Sequence, residues 1–351
     1  MPTMPIIGPN DSAAPHVVIV GAGGSVAACP NGDAKGNILP VMANLIDVLN
    51  LKPLLMENGI SGKEANFETV YDDVIQKGNA TLASELERQV YGYFSKILLP
   101  EAATDYDYLL LSLRPKDLIA TFNWDPLLIQ AFKRHEGKIS LPQMVFLHGN
   151  VAIGCCEKDR RCGWIDDNCG ICGEPFKPTP LLYPVRDKQY SSNPFIQSQW
   201  EQLSWHLNQA YFLTIFGYSA PATDVAAREV MIKAWKRNTT KELAEIDIID
   251  IKSKEEVEGN WHDFITRSHY GTSKSIKNGF LARFPRRSCD ALFEFTMMCN
   301  TWKDNRIPEL TSYGILRDWV KPLYQEECFL RGTKGNFSGK TCDELRTRKI
   351  L

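Results

Sequence analysis

Five short apolar runs, each halting at a small or polar residue, constrain this chain more than any other feature. Val17-Val-Ile-Val20 stops at Gly21, Leu118-Ile-Ala-Thr-Phe122 at Asn123, Met144-Val-Phe-Leu147 at His148, and Tyr211 to Phe216 at Gly217. The fifth, Ile246 to Ile251, carries Asp250 near its end. Runs this short and rich in β-branched residues read as buried strands. Between them lie stretches with apolar residues three and four apart, the signature of amphipathic helices. These cover Phe67 to Gln76, Leu82 to Leu98, Phe195 to Gln209 and Thr223 to Arg237. Asp125 followed by Pro126 reads as an N-cap and first helical residue, with a helix to about Arg134. Leu39 to Leu51 reads as a short helix, and Arg287 to Asn300 and Ile315 to Leu330 as longer ones. Strands alternating with helices specify an α/β fold with a mostly parallel sheet flanked by helices.

In such sheets ligands bind beyond the carboxyl ends of the strands. Gly21-Ala22-Gly23-Gly24-Ser25, Asn123 with Asp125, His148 with Gly149, Gly217 with Ser219, and Asp250 all fall there. Gly21 and Gly23 allow backbone to approach a phosphate, and the helix that follows offers free N–H groups. The third glycine of a dinucleotide fingerprint would fall at Val26, and Asp47 is a poor fit to its acidic partner, so this is not an ordinary dehydrogenase loop. Taken singly, each element has a plainer reading: a tight turn for the glycines, capping for Asn123 and Asp125, packing for His148. Together they point to one crevice.

Ten cysteines are unusual for an otherwise ordinary chain, and five of them, Cys155, Cys156, Cys162, Cys169 and Cys172, crowd one stretch. Cys169-Gly-Ile-Cys172 is a C-x-x-C knuckle, in which two thiolates grip one zinc ion. The second pair is Cys162 with either Cys155 or Cys156, leaving one thiol spare. Four thiolates would close a structural site in a small module inserted at 154–178. Residues 1–15 read as a loose arm without the features of a secretory signal, which places the chain in a reducing compartment, the cytoplasm.

The 351 residues carry 40 Lys and Arg against 42 Asp and Glu, a formal net charge of −2. That balance argues against direct nucleic-acid binding, which needs a basic face. No apolar run reaches the ~18 residues of a membrane span.

Taken in order, these motifs resemble the sirtuin family. Gly21-Ala-Gly-Gly-Ser25 looks like the G-A-G-x-S loop, Thr121-Phe-Asn-Trp-Asp125 the T-x-N-x-D motif, and His148-Gly149 the catalytic His-Gly. Cys172-Gly-Glu-Pro-Phe-Lys-Pro178 resembles the C-G-x-x-x-x-P that closes the zinc ribbon, and Gly217-Tyr-Ser219 the G-x-S motif on the adenosine side of NAD. The resemblance covers about residues 16–255. It implies a Rossmann-type NAD-binding domain with a zinc-ribbon insert, followed by a helical extension over 256–351.

Two departures bear on activity. Where protein-deacylating sirtuins carry G-I-P-x-F-R, this chain has Ala27-Ala-Cys-Pro-Asn-Gly-Asp33. Where they carry F-G-E, it has Leu181-Leu-Tyr-Pro-Val-Arg-Asp187. Asn66-Phe-Glu-Thr-Val70 and Gly217-Tyr-Ser-Ala-Pro-Ala-Thr-Asp224 look more like the bacterial sirtuin-like NAD hydrolases of antiphage defence. The resemblance implies NAD as substrate and Zn²⁺ as structural ion. Asn123 would hold the attacking water, Asp125 would fix the loop or ribose, and His148 would act as base. Gly21, Ala22, Gly23 and Ser25 would hold the pyrophosphate, Gly217, Ser219 and Asp250 the adenosine side, and Cys156, Cys162, Cys169 and Cys172 the zinc. The alternatives are a protein deacylase, an ADP-ribosyl transferase, or a non-catalytic NAD or ADP-ribose sensor. A hydrolase that depletes NAD needs control, so assembly into a homo-oligomer or a separate partner protein is expected.

Overall fold

The computed structural model describes residues 14–61, 66–185, 190, 193–220, 224–238, 243–266, 268–309, 311–330 and 337–346. Apart from residues 14 and 15, the arm expected over 1–15 lies outside them. In chain order the elements are β1 (His16–Val20), α1 (Ala22–Ala28), α2 (Leu45–Val48), α3 (Lys52–Glu57), α4 (Phe67–Gln76), α5 (Ala80–Phe94), α6 (Asp105–Leu111), β2 (Leu118–Thr121), α7 (Leu127–His135) and β3 (Gln143–Phe146). Then come β4 (Ile153–Cys156), β5 (Arg161–Trp164), β6 (Lys177–Pro178), α8 (Pro194–Leu207), β7 (Phe212–Phe216), α9 (Val225–Lys236), β8 (Glu245–Ile249), α10 (Lys254–Ile265) and β9 (His269–Ser273). The chain ends in α11 (Phe280–Arg283), α12 (Ser288–Met297), α13 (Tyr313–Leu330) and α14 (Cys342–Arg346).

Six strands form one parallel sheet in the order β3-β2-β1-β7-β8-β9. This is the doubly wound order, reversing direction between β1 and β7. Both faces of the central strands are buried, which is why β1, β2, β7 and β8 are mostly apolar along their length. Val18, Val20, Ile119 and Phe216 pack with α4, α5 and α6 on one face. Val17, Ile19, Leu118, Ala120 and Leu213 pack with α8, α9 and α10 on the other. The register aligns Val20 with Thr121 and Phe216, Thr121 with Phe146, and Phe216 with Ile249. All the strands therefore end on one rim.

Four differences from the sequence reading have local causes. Of the helix expected over Leu39 to Leu51 only Leu45–Val48 forms, since Pro40 disfavours helical backbone at Leu39 and the Asn44 side chain accepts from Val41 N instead. Helix α7 starts at Leu127, with Pro126 at the cap position, while the Asp125 carboxylate accepts from Leu127 N. Helix α6 had no readable period because Tyr106 to Leu111 are all buried. Strand β9 is an edge strand of mixed, partly exposed residues, and with α10 it carries the sheet beyond residue 255.

No helix among the described residues is long and apolar enough to cross a membrane. The insert is a separate antiparallel sheet in the order β5-β4-β6.

Candidate active site and metal centre

The glycine loop leaves β1 at the switch point, pressed against the end of β7. A Cβ on Gly217 would lie 2.2 Å from Gly24 N, and the Gly217 φ of +60° already favours glycine. The contact consumes donors: Gly21 N donates to Phe216 O at 3.0 Å, Gly23 N to Gly217 O at 2.9 Å and Gly24 N to Gly21 O at 2.9 Å. These three amides hold the loop's own shape. Ala22 is half-exposed on the rim.

Beneath the loop lies a closed polar cluster. The Ser25 hydroxyl donates to Asp125 Oδ2 at 2.6 Å, shares a 2.7 Å hydrogen bond with the Tyr106 hydroxyl, and accepts from Asn123 Nδ2 at 2.9 Å. Asn123 Nδ2 also reaches Gly21 O at 2.9 Å. A hydroxyl has one donor and two acceptor sites, so Ser25 is saturated. Here the hydroxyl, expected among the phosphate donors, is a buried strut linking loop, β2 and α6. The Asn150 amide donates to Asn123 O at 3.2 Å and Asp125 O at 2.7 Å, clamping the same turn from the far side.

Burial pushes the Asp125 carboxyl up from its ordinary value, with the Ser25 and Leu127 hydrogen bonds opposing. Burial and the neighbouring Asp125 also raise the Tyr106 phenol. A carboxyl raised in the folded state favours folding below the unfolded value of about 3.9, and that contribution is lost as pH rises through the folded value. Asp125 thus contributes less to stability at neutral pH than in acid. Asp125→Asn is expected to raise the melting temperature at pH 7 by about 2 °C or more, because the new amide can donate to Ser25 Oγ while Ser25 turns to Tyr106. The gain should vanish when melting is measured below about pH 4.

His148 follows β3 on the same rim. Its ring meets Phe122 edge-on at 4.9 Å and stacks over Tyr190 at 6.0 Å, with Nε2 4.0 Å from Asp224 Oδ2. Asp224 accepts from the hydroxyls of Tyr190 at 2.9 Å and Tyr218 at 3.0 Å. Tyr218 stacks on Phe122 at 4.1 Å, so a carboxylate and three aromatic rings frame the imidazole. Gly149 makes the turn possible: its φ is +77°, and a Cβ there would meet Pro180 O at 2.1 Å. Leu182 N donates to His148 O at 2.9 Å, which ties the end of the insert to the histidine. Ser219 and Asp250 lie half-buried past the ends of β7 and β8. Asp250 Oδ1 accepts from Lys252 N at 2.9 Å and shapes its own turn.

Tyr106 and Asn150 go unremarked in the sequence, and Asp224 enters there only as the end of a motif, with no role. Tyr106 has one usable signal: Thr104 N and Oγ1 both donate to Asp107 Oδ2 at 2.8 Å, a Thr-x-x-Asp helix start that sets α6 and the residues on it.

The insert differs from the expected four-thiolate set. Cys155 and Cys162 face each other across β4 and β5 and form a disulfide. Cys162 is therefore not a ligand, and Cys155 is not a spare thiol in a reduced cluster. Cys156, one residue on, points to the opposite face, as strand alternation requires. There its donor atom and those of Asp159, Cys169 and Cys172 lie within 4.8 Å of one another. Cys156 and Cys172 sulfurs are 3.6 Å apart, and Asp159 Oδ2 is 3.6 Å from Cys156 Sγ and 3.2 Å from Cys169 Sγ. A tetrahedral zinc with Zn–S near 2.3 Å and Zn–O near 2.1 Å sets S···S near about 3.8 Å and S···O near about 3.6 Å, so this donor set fits zinc. A hydrogen bond to the Asp159 carboxylate pushes the Cys172 thiol up to about 12, so zinc binding there would release that proton.

No protein-family model and no curated protein matches the chain. Solved structures do resemble it. A Sir2 homologue in complex with NAD aligns over 81% of this chain and 92% of its own, at 12% identity and a TM-score of 0.41. A serine-to-alanine mutant of a Sir2 homologue, in complex with ADP-ribose, aligns over 81% and 94% at 10% identity and 0.39. Sir2Tm bound to a propionylated peptide aligns over 80% and 92% at 14% identity and 0.30.

Proposed function

We propose that this chain is a sirtuin-like NAD⁺ glycohydrolase that cleaves the nicotinamide–ribose bond, releasing nicotinamide, ADP-ribose and a proton. The observation that carries the reading is the convergence of Gly21–Ser25, Asn123, Asp125, His148, Gly217–Ser219 and Asp250 on one rim of a doubly wound sheet, at its switch point. A dinucleotide crosses such a sheet there. The pyrophosphate lies over the loop at Ala22, and the adenosine ribose lies toward Ser219 and Asp250.

Breaking the glycosidic bond builds positive charge on the ribose, and water must be positioned at C1′ as it forms. Asn123, locked by Gly21, Ser25 and Tyr106, fixes one wall of that position. His148 takes the proton of the attacking water, and Asp224, 4.0 Å away, stabilises the imidazolium that results. Asp125 orients the loop through Ser25.

Two features favour water over an acyl-lysine as the nucleophile. Asp33 accepts from Lys35 N, Asn37 N and Leu98 N, so the 29–37 segment closes on itself. Tyr183, in the stretch that departs from the deacylase pattern, packs at 5.1 Å on both Trp124 and Tyr71. That contact fills space beside Trp124 with the chain's own side chain.

The same reading makes the chain an antiphage effector, held inactive until a homo-oligomer or partner protein forms; the Cys155–Cys162 disulfide runs against the reducing compartment expected from the sequence. The test is incubation of the purified protein with NAD⁺ alone, across its assembly states. Nicotinamide release without peptide supports hydrolysis. Turnover only with an acyl-lysine peptide assigns it as a deacylase, and no turnover in any assembly state assigns a sensor.

A further inference from the structure

We propose that Asp159 is a zinc ligand of this chain, completing a three-thiolate, one-carboxylate site with Cys156, Cys169 and Cys172, and that Cys155–Cys162 is an independent staple on the other face of the same hairpin. The inference concerns the insert alone and does not depend on the reaction at the rim.

Two arguments carry it. The first is facing. In the antiparallel pair β4–β5, Cys155 stands opposite Cys162, and Cys156 stands opposite Arg161. Neighbouring residues on a strand point to opposite faces, so the side that holds Cys156 cannot hold Cys162 without a one-residue slip of the hairpin. The disulfide between Cys155 and Cys162 fixes that register.

The second is spacing. Cys156-Glu-Lys-Asp159 repeats the x-x spacing of Cys169-Gly-Ile-Cys172. Both ends turn back in the manner of a knuckle. Asp159 N donates to Cys156 Sγ at 3.4 Å, and Gly173 N donates to Cys169 O at 2.8 Å. Arg160, just after Asp159, takes a left-handed φ of +52°, and Gly173, just after Cys172, one of +75°. The two turns thus bring their donors to one site, one offering two sulfurs and the other a sulfur and an oxygen. Zinc accepts a carboxylate oxygen in place of a thiolate, and the formal ligand charge is unchanged.

The test uses the full chain. Zinc content is measured by elemental analysis and affinity by competition with a chromophoric chelator. Wild type is expected to hold one zinc. Asp159→Ala is expected to weaken binding by about 100-fold, and Asp159→Cys to restore it. The double variant Cys155→Ser with Cys162→Ser is expected to retain one zinc at wild-type affinity. Absence of zinc from wild type, or loss of zinc from the double variant with retention in Asp159→Ala, overturns the assignment. Should Asp159→Ala fail to fold, cobalt(II) substitution of wild type decides: its sulfur-to-metal charge-transfer band reports the number of thiolates. Three thiolates, rising to four in Asp159→Cys, support the proposal, and four in wild type overturn it.

Discussion

His148→Ala is expected to lower NAD⁺ cleavage by about 10²- to 10⁴-fold, the range removed with a positioned general base. The size follows from its surroundings. The imidazole is held by Phe122 and Tyr190 on two sides and faces Asp224, so little reorganisation is needed when it accepts a proton. Alanine deletes the base and leaves the carboxylate–tyrosine frame in place. His148→Gln separates chemistry from packing, because it fills much of the ring's space and keeps an N–H but cannot act as a base near neutrality. Both variants are expected to melt close to wild type and to lose the pH dependence of turnover set by histidine. Turnover within tenfold of wild type in both would remove His148 from the mechanism. Loss in alanine with full activity in glutamine would make it a packing residue.

How far the sequence carries depends on whether a feature is local. Strands β1, β2, β3, β7 and β8 were legible because strands buried on both faces are continuously apolar, and their shared rim follows once they are parallel. Strand β9 was not, since His269–Ser273 is polar and half-exposed and gains its identity from pairing with β8. Helix α6 was hidden by the opposite cause, burial on every side. At the rim, the positions of Asn123, Asp125 and His148 could be read, but not the direction of their side chains. The Ser25 hydroxyl turns inward because Asp125 and Tyr106 compete for it, and Tyr106 lies 81 residues away in the chain. The cysteines show the same limit. Counting residues makes Cys162 as good a ligand as any, and only the pairing of β4 with β5 reveals that it faces away from Cys156.

Arg286 is a buried anchor between the C-terminal segment and the sheet domain, and Arg286→Met is expected to destabilise the protein by about 3–5 kcal/mol. Arg286 is 2% exposed, and all its guanidinium nitrogens are engaged. Nε and NH2 donate to Glu327 on α13 at 2.9 and 2.6 Å. NH1 donates to Leu113 O at 2.9 Å, and both NH1 and NH2 reach Ser140 O at 3.2 Å. Its backbone N donates to Ser112 O at 2.6 Å. It thus joins α13 to the turn after α6 and to the loop before β3. Removing the guanidinium takes away the hydrogen bonds it gives to a buried carboxylate and to the Leu113 and Ser140 carbonyls, and their loss accounts for most of the cost. The double variant Arg286→Met with Glu327→Leu should recover most of the loss, since an apolar pair of similar volume leaves no buried charge. Denaturant midpoints of the four proteins in the cycle measure the coupling. A midpoint unchanged in Arg286→Met would mean that α13 is held by its other contacts, Leu316 and Val320 among them. If the coupling is as large as the geometry implies, the same variant should also loosen α6. Because α6 carries Tyr106, which braces Ser25 and Asn123, NAD⁺ turnover is then expected to fall at temperatures where the sheet domain remains folded, making the C-terminal helices part of the support of the active site.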